Sequence, residues 1–348
     1  MVGYTQQDLI EATIDNDFYY EEDPEENEET GGFRTHNPAD NRFQRSFIRL
    51  SPTKSKFQKR IEMILCIHGW EDATHKQPMT LMVFDCHLSC NDKKYRIQSS
   101  RIWFQFGEDS FASTADSHAK ASPEVVAFAP FAKTAKWNDT ELEIRRKHGG
   151  GGKVGVDYVA KVEGNVDGEK EVSFTQKHFD RGTCGPILDE KSGNVVGTQW
   201  YMEQNDLQKY GVAPDFKLAL LVKRSNHADG KGVNFQGIFD MRIEAGFQHD
   251  VEEGIRRFLR LYKPEDDPVY FNPELEDHIR GPQAKKLTES VKRDVSGQVV
   301  KDSLGKEIKL IRKDALGELV DDEVLAGLLY SDIEAGLVSG LEPFNPKY

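Results

Sequence analysis

Cys184 is the residue of this 348-residue chain whose surroundings most invite a chemical reading. RGTCGPILDEKSGNVVGTQW, residues 181–200, sets it between Gly182 and Gly185 and ahead of Pro186. A glycine-lined turn can aim backbone N–H groups at an oxyanion. A cysteine nucleophile then needs a base, and the base an orienting acid. His68, in ILCIHGW, is the candidate base, with Asp85 or Asp109 as candidate acid. The competing reading needs no chemistry: Gly182, Gly185 and Pro186 shape a hairpin or loop entry, and Cys184 is a small buried filler. Buried free cysteines are usually structural rather than reactive. The structural reading is therefore preferred, and no catalytic residue is expected.

The GTCGPILDEKSGNVVG layout resembles the nucleophile segment of chymotrypsin-like cysteine proteases, which would make the protein a cysteine hydrolase acting through Cys184 and His68. Three features oppose that. GTQWYME stands where viral cysteine members carry a specificity-pocket histidine; His68 lacks a small-residue setting; nothing before residue 60 supplies the early strands of a first barrel. An α/β-hydrolase reading of ILCIHGWED or of HGGG (148–151) fails because no Gly-x-Ser-x-Gly elbow follows. GGGGK is not a phosphate loop, since Val154 occupies the hydroxyl position. Cys86, His87 and Cys90 are close enough in sequence to be weighed as metal ligands. On a strand, however, that spacing splays as much as it converges, and no second ligand pair follows. No metal or cofactor is expected.

The elements that would position these residues read as strands. Runs at 80–90, 95–107, 123–131, 154–164, 171–179, 194–204, 215–225 and 233–246 are rich in Val, Ile, Phe and Tyr between polar breaks. Several alternate with period two, as in Ile102, Phe104 and Phe106, or Leu218, Leu220 and Val222. Short alternating runs without intervening helices predict a mainly β protein, an antiparallel, Greek-key-like β-sandwich with a few peripheral helices. The organisation expected is a disordered acidic arm at 1–45 and a sandwich domain at 46–275 carrying an amphipathic helix at 250–262. A C-terminal extension at 276–348 follows, with a hairpin over 297–311 and a short helix over 321–337.

Residues 1–32 hold eleven acidic side chains and no Lys or Arg, so −11 of the formal −13 belongs to the arm and the body is near neutral. The arm suits a basic protein partner, whereas a near-neutral body gives no electrostatic footprint for nucleic acid, RRK at 145–147 notwithstanding. Four cysteines indicate reduced thiols. With neither a signal-peptide pattern nor a membrane-length apolar run, the chain is expected in the cytoplasm or nucleus.

The order QSSRIWFQFGEDS, PEVVAFAPF, TQWYMEQNDLQKYGVAPDFKLALLVKR and DDPVYFNP, within residues 78–273, resembles a group of uncharacterised fungal (ascomycete) proteins. Glu108-Asp109, Trp200, the Gly211-Val212-Ala213-Pro214 turn and the strand from Phe216 to Arg224 carry the resemblance. It implies a β-rich fungal protein and brings no activity with it. The reading that results is a non-enzymatic interaction or accessory module.

Overall fold

The computed structural model describes residues 35–38, 42–51, 55–91, 96–108, 123–147, 156–158, 171–207, 209–227, 230–245, 266–294, 296 and 298–330. They form two packed antiparallel sheets. The six-stranded sheet runs β1 (Phe47–Leu50), β2 (Phe57–Trp70), β3 (Pro78–Cys90), β10 (Asp215–Lys223) and β5 (Glu124–Ala129), with β13 (His278–Ile279) also on β2. The seven-stranded sheet runs β12 (Val269–Phe271), β11 (Phe235–Glu244), β4 (Ser99–Glu108), β9 (Val195–Glu203), β8 (Glu171–Leu188), β6 (Ala135–Lys147) and β7 (Val156–Tyr158). The chain crosses between sheets repeatedly, so the expected mainly β, antiparallel sandwich is the fold of the described residues.

Strand composition follows from what each face meets. β11 alternates strictly, Phe235, Gly237, Phe239, Met241 and Ile243 inward against five polar or exposed positions outward, because its outer face meets solvent. β3 is buried continuously from Pro78 to Phe84 because both its faces are covered. On the inner side Met63, Met82, Phe84, Phe104, Trp200, Leu218, Leu220 and Phe239 build the sandwich core. On the outer side Leu65, Ile67, Leu81, Val83 and Leu221 meet Leu287, Leu316, Leu325 and Leu328 from the C-terminal extension. A bulge at Ile64 turns both Ile64 and Leu65 to that outer cluster and restores the inward parity at Cys66.

The extension consists of α1 (Gly281–Glu289), a 3-10 turn at Leu316–Leu319 and α2 (Asp322–Tyr330), the last capped by the Asp321 carboxylate on the Glu323 N–H at 2.8 Å. The expected hairpin within 297–311 is present as the Lys301–Glu307 pairing. Residues 291–293 add to it by pairing with Lys309 and Val299. α2 accounts for the expected helix as far as Tyr330, and the remainder of that range lies outside the described residues. So does the helix expected at 250–262.

Three expectations are corrected. RGTCGP is not a loop entry: β8 continues through Leu188 and pairs with β9 from Arg181 onward, so Cys184 lies within a strand. Strands β2 and β6 were not among the runs expected, the first because its buried IEMILCIHGW shows little alternation and the second because AKWNDTELEIRRK is largely polar. Finally, the packed region starts before residue 46. Gln44 and Arg45 are buried, and residues 35–37 are held by Asp266 and Asp267, whose carboxylates accept the Thr35 and Asn37 N–H groups at 2.8 and 3.0 Å. Residues 1–34 and 39–41 lie outside the described residues.

Candidate functional site

A buried polar cluster closes one end of the six-stranded sheet. Period-two geometry sends Cys66 and His68 of β2 to the inner face; Thr80 stands directly opposite His68 on β3, and Val222 of β10 opposite Thr80. Arg224, two residues past Val222, therefore points the same way. Its Nε donates to Thr80 Oγ1 at 2.8 Å and its Nη2 to the Gly69 carbonyl at 3.3 Å. The Gln44 amide nitrogen donates to His68 Nε2 at 2.6 Å, which leaves the ring proton on Nδ1, 2.8 Å from Thr80 Oγ1. Cys66 Sγ sits 3.7 Å from His68 Nε2.

The cysteine beside His68 is thus Cys66. The electrostatics of this pair run opposite to those of a nucleophilic dyad. Burial first, then the nearby charges of Arg224 and Lys313, lower the His68 pKa to about 3, so the imidazole is neutral near pH 7. Burial and then Asp277 push the Cys66 thiol well up, against a smaller opposing effect from Arg224. A protonated thiol beside a neutral ring is an inert arrangement.

Cys184 lies on the other sheet. Its Sγ is 2.9 Å from Thr198 Oγ1, and Thr198 in turn donates to the Gly185 carbonyl at 3.1 Å. The Cys184 N–H, the donor an oxyanion turn would aim at substrate, goes to the Phe131 carbonyl at 2.9 Å. His68 spends both ring nitrogens on Gln44, Cys66 and Thr80, so the two residues proposed as nucleophile and base are each engaged elsewhere. Asp85 faces outward on β3, 3.9 Å from Arg60, and Asp109 lies outside the described residues.

Strand alternation likewise separates the candidate metal ligands. Cys86 is in the sandwich core with Cys90 packed against the same cluster, while His87 faces the opposite side and contacts the Asp215 carboxylate at 2.6 Å. Burial, with a smaller contribution from Asp85, raises the Cys86 thiol pKa. Among the described residues no group of three or more His, Cys, Asp or Glu side chains is disposed to hold a metal ion. Nor is any described helix long and apolar enough to cross a membrane.

Sequence reasoning missed Gln44, Thr80 and Arg224. For two of them a signal was present: Arg224 continues the parity of Leu218, Leu220 and Val222, and Thr80 that of Met82, Phe84 and Cys86. A polar residue in phase with a core stripe is a buried polar residue. No protein-family model matches the chain, and comparison with curated proteins finds none similar to it.

Proposed function

We propose that this protein is a non-enzymatic interaction or accessory module of a fungal cell, acting in the cytoplasm or nucleus, with the acidic N-terminal arm engaging a basic protein partner. The observation that supports this reading is the engagement of the chemistry-capable residues. His68, Cys66 and Cys184 each hold a hydrogen-bonded position inside a sheet, and the Cys184 N–H is bonded to Phe131. What distinguishes the chain electrostatically is then the arm, which carries eleven acidic residues ahead of a near-neutral body. The test compares the full chain, a chain beginning at Thr35 and the Cys184→Ala variant for binding to a lysine-rich peptide and for hydrolysis of activated esters. The expected result is salt-sensitive peptide binding that is lost on truncation and unchanged in Cys184→Ala, with no ester turnover. Turnover abolished by Cys184→Ala, with truncation neutral, would reverse the assignment in favour of a cysteine hydrolase.

A further inference from the structure

The near-neutral charge of the body is the sum of two unlike regions. Residues 42–60 hold seven Lys and Arg and no acid, and residues 280–313 hold ten against four acids, so these stretches carry +13 and the remainder of the body −15. The fold brings both stretches to one edge of the six-stranded sheet. β3 takes one side of β2 along its length, so β1 and β13 share the other, and Arg280 lies over the Phe47 ring of β1 at 4.8 Å. The acidic arm joins the body at that edge. Thr35 donates its N–H to Asp266, whose other carboxylate oxygen pairs with Arg49 of β1 at 2.8 Å.

Only part of this positive charge is matched within the body. Arg49 pairs with Asp266, Arg280 with Glu62 at 2.8 Å, Lys313 with Asp277 at 2.7 Å and Arg312 with Glu318. Lys285 of α1 and Lys292, Lys301, Lys306 and Lys309 of the paired segments at 291–309 are exposed, and none has an ion pair among the described residues. Asp294 and Asp302 do not serve them. Their carboxylates turn onto their own loops and accept the N–H groups of Ser296, Gln298, Leu304 and Lys306, each at 2.9 Å. The acids of α2 lie at the far end of the sheet, where that helix packs over β10 and β5 and Glu323 reaches Lys133 at 3.4 Å. Seven of the arm's eleven acids stand at 21–29, six to fourteen residues before Thr35. That tether spans up to roughly 20–45 Å when extended. It holds the acids beside the edge at an effective concentration on the order of millimolar.

We propose that residues 21–29 dock on this basic edge of their own chain, over the β1–β2 hairpin, α1 and the paired segments at 291–309. A basic partner then binds the arm only by displacing that contact. This consequence rests on the proposed engagement of such a partner, whereas the docking does not. Carbodiimide coupling of the full chain at low salt, followed by peptide mapping, tests the docking, because it joins a carboxylate to an amine, with loss of water, only where the two meet. Acids of the arm are expected to couple to Lys56, Lys59, Lys285 and Lys292. The links are expected within single chains, so an equal mixture of isotope-labelled and unlabelled protein yields no mixed pairs. Coupling should fall about fivefold in 1 M NaCl, where the Debye length is about 3 Å. The combined variant Lys285→Gln, Lys292→Gln, Lys301→Gln should lower coupling at the untouched Lys56 and Lys59 by about threefold, and Arg at the same three positions should restore it. Coupling spread evenly over the lysines of the whole surface, mixed-isotope pairs, or a Gln variant that couples at Lys56 and Lys59 as the wild type does overturns the docking. A lysine-rich peptide is expected to bind the Gln variant several-fold more tightly than the wild type. A peptide that binds neither chain, while the arm still couples to the edge, removes the partner and leaves the docking in place.

Discussion

At the scale of single residues, His68 makes stability a function of pH. Its pKa falls from 6.5 in the unfolded chain to about 3 in the folded one, so the unfolded state binds the extra proton between those values. Stability from His68 is therefore complete above pH 6.5 and is lost as pH drops toward 3, at a slope of about 1.4 kcal/mol per pH unit for one proton. Urea melts at several pH values from 7 to 4 are expected to show that slope in the wild type and a shallower one in His68→Gln, whose amide cannot titrate. Equal slopes would place the acid sensitivity elsewhere. The thiols give a second residue-level prediction. Cys66 and Cys86 are fully buried with raised pKa values, while Cys90 and Cys184 are half-buried. Iodoacetamide applied to the native protein is expected to label Cys90 and Cys184 first, and Cys66 and Cys86 only on unfolding, as peptide mass mapping over time would record.

At the scale of elements, the β8–β9 hairpin explains why the glycines around Cys184 differ in importance. A Cβ on Gly182 would lie 2.7 Å from the Phe131 ring, and the neighbouring Pro130 carbonyl accepts the indole N–H of the fully buried Trp200 at 3.2 Å. Gly185 has nothing within 4 Å of that position, and Gly193 needs its glycine for a φ of +74° in the turn whose Ser192 N–H is capped by Asp189 at 2.8 Å. Gly182→Ala should cost about 1–3 kcal/mol by overpacking, while Gly185→Ala should fall within about 0.5 kcal/mol of wild type. A nucleophile turn would instead be sensitive at Gly185, so denaturant melts of the pair separate the two accounts. The strand expected at 194–204 was legible because alternation along a strand is a local property. That RGTCGP is strand was not, because its pairing with β9 is a tertiary contact that overrides the turn preference of glycine and proline. The polar cluster was half legible: Arg224 and Thr80 stand in phase with their core stripes, whereas Gln44 reaches His68 from a segment that composition assigns to the arm.

At the scale of the whole molecule, the six-stranded sheet is a middle layer. Its inner face packs on the seven-stranded sheet and its outer face on the C-terminal extension, so the sandwich alone would leave Ile64, Leu65, Ile67, Leu81, Val83 and Leu221 facing water. The join is intimate as well as apolar: Trp70 N–H bonds the Lys313 carbonyl at 2.6 Å, the Gly317 N–H bonds the Glu71 carbonyl at 2.9 Å, and Gly69 admits Lys313 only because it lacks a side chain. These contacts tie the β2–β3 turn to the 3-10 segment. Continuous hydrophobicity in β2 and β3 is the sequence's sign of a second covering layer, since a solvent-facing strand would alternate as β11 does. A chain ending at Arg280 exposes a contiguous apolar patch and is expected to aggregate on expression. Leu328→Ala, at a fully buried position of α2, should cost about 2–5 kcal/mol. If the two layers form one cooperative unit, that loss lowers the single unfolding transition as followed by the fluorescence of a chain in which Trp70, Trp103 and Trp137 are replaced by Phe, even though the remaining Trp200 lies in the other core. A first transition invisible to Trp200, followed by a second at the wild-type midpoint, would show that the extension unfolds independently of the sandwich it covers.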